Sequence, residues 1–147
     1  MKLERIPSDL SELQQALEAK QDCEWGRGAT EAEIREYETA LGISFPESYK
    51  QFLRLCGYLV WLGQRVRGIS QAATYGDVRV GTEERRMMST GTKYSLPTSA
   101  VVLDDDFIML CSPPNACKVV MWPPEPGCDP AVYDSFEDYF CDKVNNF

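Results

Sequence analysis

Between Thr30 and Gly57 the chain alternates helix-start and helix-stop signals, and this fixes what its N-terminal part can become. Thr30 stands three residues before Glu33, the spacing of a capping box, in which each side chain satisfies the other's free backbone N–H. Ile34, Tyr37 and Leu41 then recur at helical spacing, and Gly42 falls where a helix needs a left-handed residue to stop. Pro46, with its fixed φ and missing N–H, suits the first position of a second helix. Tyr49, Phe52, Leu53 and Cys56 share one face of that helix, and Gly57 occupies the next terminating position. Two short helices joined by residues 42–45 predict a compact helical hairpin.

Around the hairpin the other elements follow from period and punctuation. Ser8 is expected to cap a first helix over 8–19, with Leu10, Leu13 and Leu17 on one stripe. Residues 23–28 read as a glycine-containing connection. After Gly57 the period shortens, and 58–62, 66–69 and 77–80 read as strands. Residues 81–98 read mainly as loop. Residues 100–103 and 107–111 predict a hairpin around Asp104-Asp105-Asp106, and 117–122 the next strand. The Pro-rich stretch 123–130 reads as loop. Ser135 is expected to cap a last helix with Phe136, Tyr139, Phe140 and Val144 on one side. Helices followed by closely spaced strands predict an α+β fold with N-terminal helices, a central antiparallel sheet and a C-terminal helix. At 147 residues a single domain over 1–147 is the expectation.

Composition narrows the function. Histidine is absent, which removes the Ser–His–Asp and Cys–His arrangements and every His-containing metal site. The net charge is −8, distributed as −5 over residues 1–50, +4 over 51–100 and −7 over 101–147. An acidic surface repels nucleic acid and anionic membrane and suits a basic protein partner. Six cysteines are present at 23, 56, 111, 117, 128 and 141, and no pair has the Cys-x-x-Cys spacing of a zinc or thioredoxin-type site. Reduced thiols are expected, although one or two disulfides are compatible with the count. The polar amphipathic N-terminus and the shortness of the apolar run 58–62 point to a cytoplasmic protein.

The acidic C-terminal third holds the main binding candidates: Asp104, Asp105, Asp106, Glu125, Asp129, Glu137, Asp138 and Asp142. As a group they could steer and pair with the Lys and Arg of a partner, or form a solvated helix face plus turns. The three consecutive aspartates suit a hairpin turn, and their flanks lack EF-hand spacing. The loop Trp122-Pro123-Pro124-Glu125-Pro126-Gly127 reads as a stiff recognition element or a plain connection. Arg85 and Arg86, without interleaved aromatics, read as a solvated loop rather than a phosphate site. An enzymatic role would need a buried carboxylate pair or a low-pKa thiol such as Cys117 beside Lys118, and neighbours on a strand face opposite sides. No catalytic residue, metal or cofactor is assigned.

Several stretches resemble the SUKH superfamily, whose best-known branch is the SMI/KNR type. They are Trp25-Gly26, Thr30 to Ile34 with Glu33, Leu41-Gly42-Ile43-Ser44-Phe45-Pro46 leading into Tyr49, Phe52 and Leu53, Cys56-Gly57, Gly68-Ile69, and the Ser-Phe-containing ending 133–140. This chain departs from the pattern in Gly28, in Phe45 for Leu before Pro46, and in Cys56 for Asn before Gly57. The resemblance implies a non-catalytic α+β domain whose shared residues are caps, turns and core aromatics. It implies a bacterial immunity protein that binds and neutralises a toxin, often a nuclease, or alternatively a regulatory module related to fungal cell-wall synthesis regulators. The expected partner is a basic toxin domain, with no nucleic acid or membrane partner, and the chain is expected to be a monomer or weak dimer.

Overall fold

A computed structural model describes residues 2–113, 116–127 and 132–147. The first helix, α1 (Leu10–Leu17), starts at Asp9 rather than Ser8, because the Asp9 carboxylate accepts from Glu12 N at 3.0 Å. Leu13 and Leu17 face inward. Residues 24–25, expected as connection, form a strand, β1 (Glu24–Trp25).

The hairpin of helices forms as its signals predict. In α2 (Glu31–Leu41) both halves of the Thr30–Glu33 capping box are made, and Gly42 closes the helix at φ 71°. Pro46 stands one position before α3 (Glu47–Cys56), as its N-cap. The chain then forms β2 (Leu59–Trp61) and β3 (Gln64–Val66), which begins two residues before the expected strand at 66–69 and ends at Val66. With β1 they make a three-stranded antiparallel sheet in the order β1-β2-β3.

The largest departure from expectation lies at 77–98. Instead of a strand and a loop, the chain forms a 3₁₀ turn (Thr74–Gly76) and then α4 (Val78–Ser89). Asp77 explains the switch. Its Oδ2 accepts from Val80 N at 3.0 Å as a helix cap, and its Oδ1 accepts from Ser70 N at 2.9 Å and from the Tyr37 hydroxyl. The inward positions of α4 are Val78, Gly81 and Thr82, so its buried stripe is small and partly polar. Thr82 Oγ1 accepts from Val102 N at 3.0 Å, satisfying an edge donor of the strand that follows.

That strand, β4 (Ala100–Val102), opens an antiparallel meander with β5 (Phe107–Leu110), β6 (Val119–Met121) and β7 (Val132–Tyr133). The expected single sheet is therefore two sheets, joined where Arg67 N donates to Leu103 O at 2.9 Å. Ser135 caps the final helix, α5 (Phe136–Asn146), as expected. The fold class is α+β with antiparallel sheets.

Aromatic side chains fill the space between α3, α5 and the meander. Tyr49 packs edge-on against Phe136 at 5.0 Å between centroids, Phe52 lies 5.4 Å from Phe140, and Phe107, Tyr133 and Tyr139 continue the chain of contacts into the second sheet. Each such side chain contributes about 1.5–3 kcal/mol on burial. The other face of the meander carries a second, smaller cluster of Leu96, Ala100, Val102 and Ile108, flanked by Trp122, whose Nε1 donates to Tyr94 O at 3.1 Å.

Candidate partner-binding surface

The motif residues of the N-terminal half turn out to hold three chain segments at backbone contact. Ile69 N donates to Gly57 O at 2.9 Å, and Gly68 N to Gly76 O at 2.8 Å. A Cβ at Gly68 would overlap the Gly57 carbonyl, and one at Gly28 would overlap the Arg54 carbonyl. Gly28, a departure from the family pattern, is thus required by a crossing of its own. Trp25 pairs with Leu59 across the first sheet, and Leu41, Phe45, Tyr49, Phe52 and Leu53 are buried in the core. Beside them a cavity of about 330 Å³ is lined by Gly26, Arg27, Glu33, Tyr58 and Ser70. Arg27 grips Glu33 through two hydrogen bonds of 2.8 and 2.6 Å, and with the Thr30 N–H this holds the Glu33 carboxyl down at about 2. The cavity's charged groups are engaged with each other, so the motif region builds the fold.

The eight acidic candidates separate by environment. Asp104 is 5% exposed and binds only the chain's own donors: Asp106 N at 2.7 Å, Phe107 N at 2.8 Å, the Tyr139 hydroxyl at 2.6 Å and Lys143 Nζ. It closes the β4–β5 turn and ties it to α5, so it offers nothing to a partner. Glu137 accepts from Ile6 N at 3.0 Å and pins the N-terminal segment, while Asp142 accepts from the Tyr133 hydroxyl at 2.5 Å and from Asn146 Nδ2 at 2.6 Å. Burial, then the Asp142 hydrogen bond, pushes the Tyr133 hydroxyl well above its ordinary range.

Asp105, Asp106, Glu125 and Asp138 are exposed, and Asp129 lies outside the described residues. The first three share one end of the meander. Trp122 N donates to Asp106 O at 2.9 Å, which draws the Glu125 loop against the β4–β5 turn. Asp105 is paired with Arg65 at 2.7 Å, and Arg85 Nη2 donates to its carbonyl at 3.4 Å. Asp138 sits on the first turn of α5, where a negative charge favours the helix. Glu83 and Glu84 are also exposed, on α4. They lie in the stretch 81–98 that the sequence alone presents as loop.

The chemistry open to the described thiols is limited by burial. Burial raises the thiol pKa of Cys23, Cys56, Cys111, Cys117 and Cys141, with Cys111 pushed up to about 12 and Cys141 to about 11. For Cys117 burial raises the thiol pKa, the opposite of what activation by Lys118 would require. Among the described residues, no group of three His, Cys, Asp or Glu side chains could hold a metal ion, and no helix is long and apolar enough to cross a membrane.

With caps, glycine crossings and aromatic core in place, one comparison decides the family. A family model described as SMI1-KNR4 cell-wall, of the SUKH group, matches residues 10–145. The chain belongs to the SUKH family. The match covers every helix and strand of the fold except the end of α5. No curated protein matches the chain. In this SUKH protein the positions of 25–57 that carry the resemblance cap helices, allow backbone crossings or fill the core.

Proposed function

We propose that this protein is a non-catalytic immunity-type binding protein that acts in the cytoplasm, where it occludes a cognate basic toxin domain, with nuclease activity the best chemical fit. The observation that carries the reading is the exposed acidic end formed by Asp105, Asp106 and Glu125, with Asp138 on α5, in a SUKH protein of net charge −8. A nuclease that grips phosphates presents Lys and Arg, and an acidic cover both speeds its capture and competes with its substrate. Burying four such carboxylates against basic groups also requires desolvation, so specificity has to come from complementary placement. A monomer or weak dimer suits a one-to-one complex.

The test is co-expression with candidate toxin domains encoded at the same locus. Rescue of growth by this chain, and co-purification of the pair, supports the reading. Absence of rescue and of a complex with every candidate overturns it.

The cell-wall description of the matching family favours one second reading, a regulatory or scaffold module. Recovery of a wall-synthesis or signalling protein as a stoichiometric partner would put it first.

A further inference from the structure

The connection between β5 and β6 runs from one cysteine to another. Cys111 directly follows β5, and Cys117 stands two residues before β6. The register that pairs Ile108 with Val120 and Met109 with Val119 carries on toward them. Leu110 N donates to Lys118 O at 2.8 Å, and Cys117 N donates to Leu110 O at 2.8 Å. Cys117 and Lys118 thus oppose the single residue Leu110, which makes Cys117 the extra residue of a β-bulge. Its φ of 81° is the left-handed value that such a bulge reserves for glycine. Cys111 is the next residue along the other strand, and its N donates to Ser99 O at 2.9 Å. Hydrogen bonds therefore fix both cysteine backbones on the two sides of one ladder end. Facing residues of an antiparallel ladder lie about 4.5–5.5 Å apart at Cα, within the span of about 4.4–6.8 Å that a disulfide bridges.

The two thiols also sense one another. Burial raises the Cys111 thiol most, and Cys117 contributes next, ahead of Glu38. No second cysteine acts on Cys23, Cys56 or Cys141. Cys111 lines an open cavity of about 710 Å³ with Glu38, Ser99 and Pro113, so a small reagent can reach this side of the turn. Cys117 belongs to neither apolar cluster, so core packing does not account for a cysteine at a position that suits glycine.

We propose that Cys111 and Cys117 are a thiol pair that a low-molecular-weight disulfide of the glutathione class oxidises to an intrachain disulfide across the β5–β6 turn. Cys117 gives its proton to water, and its thiolate attacks one sulfur of the small disulfide, whose S–S bond breaks. The first small thiolate leaves and takes up a proton. The Cys111 thiolate, its proton likewise lost to water, then attacks the Cys117 sulfur of the mixed disulfide and expels the second small thiolate, which is protonated in turn. Two protein thiols are oxidised and one small disulfide is reduced to two thiols. Burial keeps both thiols largely protonated, so the exchange is slow, and thiols that hold their protons tightly are poor leaving groups, so the finished bond is slow to reopen. The pair does not depend on the partner-binding reading, and failure to find a toxin leaves it standing.

The test treats the folded full chain with oxidised glutathione at about pH 8.5, blocks the remaining thiols with iodoacetamide and digests with trypsin. Cleavage after Lys93 and Lys118 puts Cys111 and Cys117, and no other cysteine, in one peptide. The expected product is that peptide unblocked and lighter by two hydrogens, with two blockable thiols restored by dithiothreitol. Cys117→Gly, which the left-handed backbone favours, should abolish the mass loss with the fold kept. Two blocked thiols after exposure to oxidised glutathione overturn the proposal. So do two lasting glutathione adducts, or a crosslink from either residue to a peptide carrying Cys23 or Cys128.

Discussion

Asp104 and Lys143 form a buried ion pair that fastens the β4–β5 turn to α5, with Lys143 only 8% exposed. The Tyr139 hydroxyl and two backbone N–H groups complete the carboxylate's shell. Removing one partner leaves the other charged and dry. Asp104→Ala and Lys143→Ala should each cost about 3–5 kcal/mol. The double variant should cost much less than their sum, because neither orphan charge is then left behind. Urea denaturation of the three variants measures this, and additive losses would show that the pair is not coupled.

The glycines separate conformation from space. Gly42 has φ 71° with nothing near its absent Cβ, so Gly42→Ala should cost about 1 kcal/mol from backbone strain alone. Gly68→Ala pushes a Cβ into the Gly57 carbonyl and should cost about 3 kcal/mol or more. Thermal melts of the two variants check the order, and a Gly42→Ala loss equal to that of Gly68→Ala would contradict it.

Glu33 links stability to acid. Arg27 and the Thr30 N–H hold its folded carboxyl at about 2, below the unfolded range near 4.3. A depressed folded value means the contribution is complete above about pH 4.5 and fades as pH falls toward 2. Glu33→Gln should remove that part of the acid sensitivity and cost up to about 1 kcal/mol at neutral pH. Parallel melts from pH 6 to pH 3 read the difference, and identical pH slopes for wild type and variant would refute the assignment.

What the sequence disclosed and concealed follows the strength of local signals. The capping box at Thr30–Glu33, the Gly42 stop and the Ser135 cap are satisfied within a few residues, so α2 and α5 were legible. The helix α4 was not. Val78, Val80, Gly81 and Thr82 read as strand and turn, and the helix exists because Asp77 caps it and because Thr82 meets Val102, twenty residues away. The two-residue strands β1 and β7 are likewise defined by partners across the sheet rather than by their own pattern. The acidic third was visible as charge, but charge does not say which carboxylates turn inward. Asp104, Glu137 and Asp142 do so because a buried lysine, a backbone N–H and tyrosine hydroxyls, placed by the fold, need acceptors.

Thiol reactivity should follow burial. At pH 7.5 iodoacetamide should modify the described cysteines slowly, Cys23 and Cys117 first and Cys56 last, with rates rising above pH 9. Peptide mass spectrometry over time gives the order. One thiol reacting fast at neutral pH would reveal an activated nucleophile that burial does not explain.

The central claim is that this SUKH protein grips a basic partner through its exposed acidic end. The most direct measurement is the affinity of the purified chain for a toxin domain from its own locus, at low and high salt, with wild type and with the D106K/E125K/D138K variant. The account predicts a complex whose affinity falls as salt rises, and a charge-reversed variant that stays folded, with a melting temperature lowered only slightly by the loss of Asp138 at the start of α5, and that associates at least about tenfold more slowly. Equal association of wild type and variant, at every salt concentration, would contradict it.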